Sequence, residues 1–195
     1  MTRRLLGQAD QRLAGNRVIG DRLVSLCDPD ARPIRKGKPG RPTEFGSTLL
    51  LGACERGFIA THHTHHTHQG NPPDAAQLLP AVRQVMAVTG RPPGTVVGDR
   101  GFGTAANDAA LAELGVARIG LARCGTPGNT RLVWQRTRAF KRMRNWRVGI
   151  EARISQLKRS FGLRRTRLRR LNGARIWVGL GIFAYNLQRM MVVAR

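Results

Sequence analysis

The chain has 195 residues, enough for one domain with a sizeable core, and 41% of them are hydrophobic, which excludes a chain that is disordered throughout. Its 34 lysines and arginines outnumber its 11 acidic residues and give a formal net charge of +23. Because such an imbalance opposes compact folding by self-repulsion, we expect a polyanionic partner. Nucleic acid is the leading candidate, with a membrane surface or an acidic protein as lesser ones.

Cysteine content and apolar runs bear on the compartment. The three cysteines are widely spaced and form no CxxC pair, which is typical of a reducing cytosol and offers no structural zinc site. Residues 1–15 lack the apolar core of a signal peptide, and the longest apolar run, 176–187, is too short to span a bilayer. We therefore expect a soluble cytoplasmic protein.

The first half of the chain predicts a connector, a hairpin and a helix. Residues 1–45 are basic and rich in turn residues, so an extended connector is expected there. The apolar run that follows is divided by Glu55–Gly57, and short aliphatic stretches around a glycine turn predict a β-hairpin. Asp74 stands where the N-cap of a helix would, and apolar residues then recur at helical spacing up to Gly90.

The second half predicts an α/β layer followed by basic helices. The expected elements are a strand at Thr95–Gly98, a helix from its N-cap Thr104 to Gly115, and a strand at Val116–Ala122. Alternation of strands and helices favours parallel pairing. From Leu132 onward the pattern is helical and very basic, until an apolar helix at about 174–193 that we expect to pack on the sheet.

Asp99 is the first candidate for chemistry. It follows the predicted strand and precedes Gly101 and Gly103. Ligand sites in open α/β sheets lie at the carboxyl ends of strands, so a carboxylate at this position suits a metal or polar ligand. A turn aspartate that caps the next segment is an equally good interpretation of the local pattern.

Glu151 is the last acidic residue of the chain and lies among arginines and lysines. On a helix, Arg147, Glu151 and Lys158 share one stripe, at the border between an apolar face and a cationic face. Periodicity alone favours a surface ion pair between Glu151 and Arg147, worth roughly a few tenths of a kcal/mol.

The two carboxylates together carry a family resemblance. The motif D-x-G-F at 99–102, followed roughly fifty residues later by R-(3)-E-(6)-K at Arg147, Glu151 and Lys158, resembles the bacterial insertion-sequence DDE transposases with the YREK signature. The tyrosine expected three residues before the arginine is Arg144 here. Other stretches from Asp28 to the C-terminus, such as GNPPDA and GIEARISQLKRSFGLRRTRL, are also similar to such a transposase.

The resemblance implies an RNase H-like α/β fold, a mixed sheet with flanking helices, of which residues 46–195 are the C-terminal part of the catalytic domain. In that fold two aspartates and one glutamate bind two divalent metal ions, which activate water or a DNA 3′-hydroxyl for phosphoryl transfer. Hard oxygen ligands suit Mg²⁺ or Mn²⁺. Asp99 and Glu151 match the second and third of these catalytic, metal-binding carboxylates.

The resemblance also implies partners. DNA, as transposon ends and target, is the expected partner in a bacterial cytoplasm, at the nucleoid; a homodimer is possible, and no small-molecule substrate or membrane partner is expected. The residues expected to hold DNA phosphates are Arg144, Arg147, Arg153, Lys158, Arg159, Arg164 and Arg165. Such a setting explains a solitary carboxylate in a cationic patch, because the patch binds the polyanion and the carboxylate holds the metal.

One part of the family pattern is missing. The first catalytic aspartate normally stands on the first strand of the fold, upstream of the DPDAR segment, and this sequence does not contain it. Asp28 and Asp30 are better interpreted as turn residues and Asp74 as a helix cap. We therefore expect a truncated copy with an incomplete sheet, which binds metal weakly through two carboxylates and does not cleave DNA alone.

The tract THHTHHTHQG holds five histidines, and a strand would direct His62, His66 and His68 to one side and His63 and His65 to the other. No carboxylate nearby would orient them as zinc ligands. The repetition is more typical of low-complexity drift than of a zinc site.

Two further functions compete with the transposase hypothesis. One is a non-catalytic nucleic-acid-binding protein in which Glu151 is only an ion-pair partner, and the other is a ribosomal or RNA-associated basic protein. Loss of metal binding on Glu151→Gln would distinguish the transposase from the non-catalytic binding protein. A preference for structured RNA over duplex DNA would favour the ribosomal or RNA-associated protein.

Overall fold

The computed structural model describes residues 1–20, 22–38, 40–65, 74–123, 125 and 128–194. Its helices are α1 Thr2–Leu13, α2 Asp74–Thr89, α3 Ala105–Glu113, α4 Asn129–Arg136, α5 Arg138–Ser160 and α6 Arg170–Val193. Its strands are β1 Arg32–Lys38, β2 Arg41–Gly46, β3 Thr48–Ala53, β4 Ile59–His65, β5 Thr95–Gly103 and β6 Arg118–Arg123. They pair as β1 with β2, β3 with β4, and β5 with β6. The fold is mixed α/β, as predicted.

Contacts divide the chain into two units, which are described separately. The first comprises Met1–Leu49, Thr64–Pro72 and Thr166–Val178, and the second comprises Leu50–His63, Pro73–Arg165 and Gly179–Arg195. Both candidate carboxylates belong to the second unit.

The first unit contains α1 and an antiparallel hairpin. Strands β1 and β2 are in register from Arg32 opposite Gly46 to Arg35 opposite Thr43, and the register shifts before the turn. Helix α1 has no buried residue. The hairpin, in contrast, contributes the buried side chain of Ile34 on β1.

Two aspartates of the first unit cap the start of α6. The Oδ1 atom of Asp28 accepts the backbone N–H of Asp30 at 3.2 Å, which is the turn that the sequence predicts, and also that of Arg170 at 3.3 Å. Asp30 Oδ2 accepts the N–H of Leu171 at 3.1 Å. Because the first N–H groups of a helix have no partner within it, these carboxylates satisfy them and favour the helix dipole.

The capping carboxylates give a first prediction. Replacement of Asp30 by alanine should lower the free energy of unfolding by about 0.5–2 kcal/mol, the usual contribution of a capping side chain. Urea denaturation followed by circular dichroism measures the change. Asp10→Ala, on the exposed surface of α1, is the matched control and should change stability by less than about 0.5 kcal/mol. Equal effects of the two substitutions would show that the cap contributes nothing.

The core of the second unit lies on one face of the β5–β6 sheet. These strands are parallel and in register from Thr95 opposite Arg118 to Gly98 opposite Leu121, as the alternation of strands and helices predicted. The buried cluster contains Leu78, Val82, Val96, Leu111, Val116 and Leu121. Of these, Leu111 and Leu121 have no exposed surface at all. Burial of this cluster fixes α2 and α3 against the sheet.

Helix α5 lies on the opposite face of the same sheet. Its N-cap is Thr137, whose hydroxyl accepts the N–H of Phe140 at 3.1 Å. At Gly120 of β6 the backbone comes close to the helix, since an added Cβ would lie 3.1 Å from Met143 Cβ. Helix α5 ends before Gly162, whose φ is 73°, so residues 161–169 interrupt the continuous helical pattern predicted from Leu132. The close approach at Gly120 brings the carboxylate-bearing helix to the sheet.

The second half of α6 is fastened to the turn between β3 and β4. The hydroxyl of Tyr185 donates to the Gly57 carbonyl at 2.9 Å. The side chain of Asn186 bonds both backbone groups of Ile59, accepting its N–H at 2.9 Å and donating to its carbonyl at 3.0 Å. Tyr185 is buried and meets Phe161 edge to face, with ring centroids 5.4 Å apart. The predicted hairpin and the predicted final helix therefore meet within this unit.

The other side of α6 carries exposed apolar residues. They are Ile176, Leu180, Phe183, Leu187 and Met190. Among the described residues, α6 is also the helix whose length and composition would suffice to cross a membrane, with a mean hydropathy of 1.3 over its most apolar window. At 24 residues, α6 is twice as long as the apolar run 176–187 that the sequence shows. Such a helix is weak evidence for a membrane span, because core helices share the same features.

Candidate carboxylate pair and nucleic-acid interface

Asp99 lies where β5 leaves its partner strand. The regular pairing with β6 ends at Gly98, and the register shifts between Gly98 and Gly103. The Asp99 side chain is 65% exposed, and its Oδ1 atom accepts the N–H of Arg100 at 2.8 Å. The structure thus places a solvated carboxylate one residue past the last regularly paired position of a parallel strand, where open α/β sheets bind ligands.

Glu151 lies on α5 and is brought to the same place. Nη1 of Arg147 is 3.8 Å from Asp99 Oδ2 and 3.7 Å from Glu151 Oε1. One guanidinium nitrogen therefore lies between the two carboxylates, 52 positions apart in the sequence. The i,i+4 ion pair that periodicity favoured is present, and so is the approach to Asp99 that the family resemblance implied. Both pairs are exposed to solvent, so each contributes little to stability.

The basic residues of α5 and of the segment after it differ in their exposure to solvent. Lys158 and Arg159 are exposed in the last turn of α5, and Arg164 and Arg165 are exposed in the segment that follows. Arg153 differs from them, because its guanidinium packs over the turn at Gly57, with Nε 3.0 Å from the position of an added Cβ. The Arg153 guanidinium is therefore packed against backbone, at Gly57 and at Gly149 of α5.

A cleft of about 450 Å³ opens beside Asp99, between the β5–β6 strands and helices α4 and α5. Its cationic residues are Arg100, Arg136, Lys141, Arg144 and Arg147. Asp99 is the acidic residue among those lining it. The position at which the signature has tyrosine, Arg144, thus belongs to the wall of a strongly cationic cleft.

An ion-pair cluster near the cleft was missed by sequence reasoning. Asp108 of α3 contacts Arg123 Nη2 of β6 at 2.9 Å and Arg131 Nη1 of α4 at 3.1 Å, and its side chain is 16% exposed. No spacing along the chain signals this cluster, since the three residues lie on three different elements. By contrast, the predicted cap of α3 is confirmed, because the hydroxyl of Thr104 accepts the N–H of Asn107 at 3.0 Å. The cluster ties α4 to the sheet and so helps to form the cleft.

The side chain of Asp74 lies against the end of β5, two residues beyond Asp99. Asp74 is the first residue of α2, which agrees with the predicted helix start, and its side chain lies against Gly101, where an added Cβ would be 2.6 Å from Asp74 Oδ2. Even so, the described residues contain no group of three His, Cys, Asp or Glu side chains arranged to hold a metal ion. The carboxylate site of the described chain therefore consists of a pair.

The histidine tract is described only in part. His62 and His63 lie on β4, whereas His66 and His68 fall outside the described residues. Burial, and after it the charge of His63, lower the pKa of His62. Burial therefore favours the uncharged imidazole at this position.

The fold and the site define a class of protein. A parallel strand pair of an α/β layer is backed by a basic helix, and two solvated carboxylates lie beside a cationic cleft. A family model of the transposase DDE domain matches residues 23–187, and the chain belongs to that family. The match assigns the chain a role in DNA transposition, with DNA as its partner. Comparisons with curated proteins and with solved structures gave no match.

Proposed function

We propose that this chain is the C-terminal catalytic part of an insertion-sequence transposase of the YREK type, with Asp99 and Glu151 as two of its three metal-binding carboxylates. The observation that carries the proposal is the shared contact of Arg147 with both carboxylates. Two elements far apart in the sequence converge there, on the residues that the signature specifies. We infer an RNase H-like fold, with residues 46–195 belonging to the catalytic domain and residues 1–45 leading into it.

The chemistry of the pair suits a hard divalent cation. Carboxylate oxygens are the ligands that Mg²⁺ and Mn²⁺ prefer, and Asp99 and Glu151 would hold the ion. When bound, such an ion supplies activation of water or of a DNA 3′-hydroxyl and stabilises the leaving oxygen. In the structure, Arg147 occupies the space between the two carboxylates. Its single positive charge offsets half of the charge of the two carboxylates.

Two carboxylates are a weak site. With Arg147 in competition and no third acidic ligand among the described residues, we propose weak binding of Mg²⁺ or Mn²⁺ and no strand cleavage by this chain alone. The test is incubation of the purified chain with transposon-end DNA and Mg²⁺, followed by denaturing gel electrophoresis. Nicked or joined products would refute the proposed inactivity. Binding of Mn²⁺ by the chain, without any cleaved or joined DNA, would support the proposed inactivity.

The cationic residues divide the work of DNA binding. We propose that Arg144, Arg147 and Lys158 contact the phosphates nearest the carboxylates, because they share one side of α5 with Glu151. We propose that this phosphate-binding surface continues along the DNA strand through Arg159, Arg164 and Arg165. Arg153 contributes least, since its guanidinium is packed over Gly57. Affinity for duplex DNA should fall steeply with salt, as counterion release requires.

The exposed face of α6 suits a second copy of the chain. Ile176, Leu180, Phe183, Leu187 and Met190 recur with spacings of four and three residues, as in a coiled-coil seam. No Lys, Arg, Asp or Glu occurs between 176 and 188, so two chains of charge +23 meet there without opposing like charges. We therefore propose a homodimer through α6. A cytoplasmic location at the nucleoid, without a membrane partner or a small-molecule substrate, completes the proposal.

The dimer gives a second prediction. Phe183→Glu should convert the dimer to a monomer, because it places two carboxylates at the centre of the seam. Sedimentation velocity at several protein concentrations measures the change. Val133→Glu is the matched control, since Val133 is similarly exposed, at 65% against 63%, and lies on α4. A monomeric parent chain, or equal behaviour of the two variants, would refute the dimer.

A further inference from the structure

Two arginines of the second unit meet over the turn between β3 and β4. Arg153 extends from α5 and Arg189 from α6, and both cover Gly57, the buried glycine of that turn. An added Cβ at Gly57 would lie 3.0 Å from Arg153 Nε and 3.1 Å from Arg189 Nε. Since both nitrogens are that close to one point, they cannot be more than 6.1 Å apart. Two different helices therefore bring two guanidinium groups together at one turn.

The surrounding backbone holds both guanidinium groups in place. Gly57 has a φ of 85° and no Cβ, so the two side chains can lie directly over the turn. The Nε atom of Arg189 donates to the carbonyl of Arg56, and Arg153 Nη1 packs against Gly149 of its own helix. Both arginines are half-buried. They therefore lose less conformational freedom on binding a ligand than fully exposed arginines would.

The positive charge at this turn is not neutralised by any carboxylate that the structure describes. Neither Arg153 nor Arg189 forms an ion pair with a described acidic residue, and this includes Glu55 of the same turn. Two like charges this close repel each other, which costs stability unless an anion lies between them. The arrangement therefore suits an anionic ligand.

The charge and the geometry of the two guanidinium groups select one class of anion. Each guanidinium presents a fork of N–H donors that can bond two oxygens of a phosphate or a carboxylate at once. Together they carry two positive charges, and a phosphate monoester carries about −1.5 to −2 at pH 7. A carboxylate, or a phosphodiester of the DNA backbone, carries a single negative charge and would leave one cation uncompensated. The best match is a dianionic phosphate.

We propose that Arg153 and Arg189 form a binding site for a dianionic phosphate, free or as a monoester, over the turn at Gly57. The ion joins α5 and α6 at a turn whose carbonyl already accepts the hydroxyl of Tyr185. The site is distinct from the carboxylate pair, because Glu151 and Arg153 are two residues apart on a helix and so do not face each other. This inference goes beyond the proposed function, since it requires neither DNA nor a metal ion.

Titration calorimetry and thermal unfolding of the full chain test the site. The ligands are methyl phosphate, dimethyl phosphate and inorganic phosphate, each compared with chloride at equal ionic strength. Methyl phosphate should bind once per chain and raise the melting temperature saturably, as a ligand of the folded state does. Dimethyl phosphate, which has one charge, should bind at least about tenfold more weakly. The tighter binder of methyl phosphate and inorganic phosphate identifies the source, a monoester or the free ion.

Arginine variants locate the binding at the turn. Arg153→Ala and Arg189→Ala should each weaken methyl phosphate binding about ten- to a hundredfold, the contribution of hydrogen bonds to a charged group. Arg142→Ala removes the same charge from an exposed position of α5, about 16 Å along the helix from Arg153, and should leave the affinity unchanged. Should an alanine variant fail to fold by circular dichroism, Arg153→Lys and Arg189→Lys replace it. They keep the charge but lose the fork, and should also weaken binding.

The site would be overturned by the absence of saturable methyl phosphate binding, or by equal affinities for methyl phosphate and dimethyl phosphate. Unchanged affinity in the folded variants of both Arg153 and Arg189 would overturn it as well. Each of these results leaves the proposed transposase function intact. Conversely, a variant that loses methyl phosphate binding and keeps its affinity for duplex DNA would show that the two sites are separate, as proposed.

Discussion

Replacement of Glu151 by glutamine, or of Asp99 by asparagine, should weaken Mn²⁺ binding at least about tenfold, because each removes one of two charged ligands and even outer partners of a metal site contribute about 10–100-fold. Both substitutions preserve side-chain size, and both side chains are 65% exposed, so folding should be unaffected. Isothermal titration or electron paramagnetic resonance of Mn²⁺ measures the affinity. A second readout is the rise in melting temperature on adding Mn²⁺, which follows the affinity for the folded state.

Glu113→Gln is the matched control for the metal experiment. Glu113 is an exposed glutamate at the end of α3, and its replacement changes the net charge by the same amount as Glu151→Gln. Its Mn²⁺ affinity should match that of the parent chain. An unchanged Mn²⁺ affinity in Glu151→Gln would mean that Glu151 is only an ion-pair partner of Arg147. That result would favour a non-catalytic nucleic-acid-binding protein.

Leu121→Ala should lower the free energy of unfolding by about 2–5 kcal/mol, the largest effect on stability that we expect. Leu121 has no exposed surface and lies in β6 within the buried core cluster, so its truncation leaves a cavity that the packed neighbours cannot fill. Chemical denaturation measures the loss. A domain of ordinary stability, about 5–15 kcal/mol, would lose a large part of it.

Leu180→Ala makes the same chemical change on an exposed side chain. Leu180 is 60% exposed on α6, so at protein concentrations that favour the monomer its truncation should change stability by less than about 0.5 kcal/mol. A comparably small effect of Leu121→Ala would show that the β5–β6 layer is not the centre of the folding unit.

Local patterns were sufficient to predict the elements that frame the site. The cap at Thr104, the glycine with positive φ at Gly115 that ends α3, and the parallel pairing of β5 with β6 all follow from short-range rules, because each depends on neighbouring residues or on connection length. The helical stripe of Arg147 and Glu151 is predicted by periodicity in the same way. Their approach to Asp99 came from the family motif and not from any local rule.

Tertiary contacts account for what the sequence did not predict. The Asp108 cluster joins three elements, and the cleft exists only because α4 and α5 lie over the sheet. Similarly, Arg153 appears in the sequence as one more arginine of a basic helix, yet its guanidinium packs over Gly57. Charge and composition specify how many cations a surface has, but packing decides which of them face the same point.

The bonds of Tyr185 and Asn186 to the turn at Gly57 and Ile59 have a consequence for the order of folding. They join residues 127 and 128 positions apart, so the turn gains its partners only when the final helix has been made. Contacts this distant in sequence are slow to form, because the intervening chain must first be ordered. On the ribosome the β3–β4 hairpin therefore lacks these hydrogen bonds for more than half of synthesis, and chaperone binding in that interval should be concentrated on it.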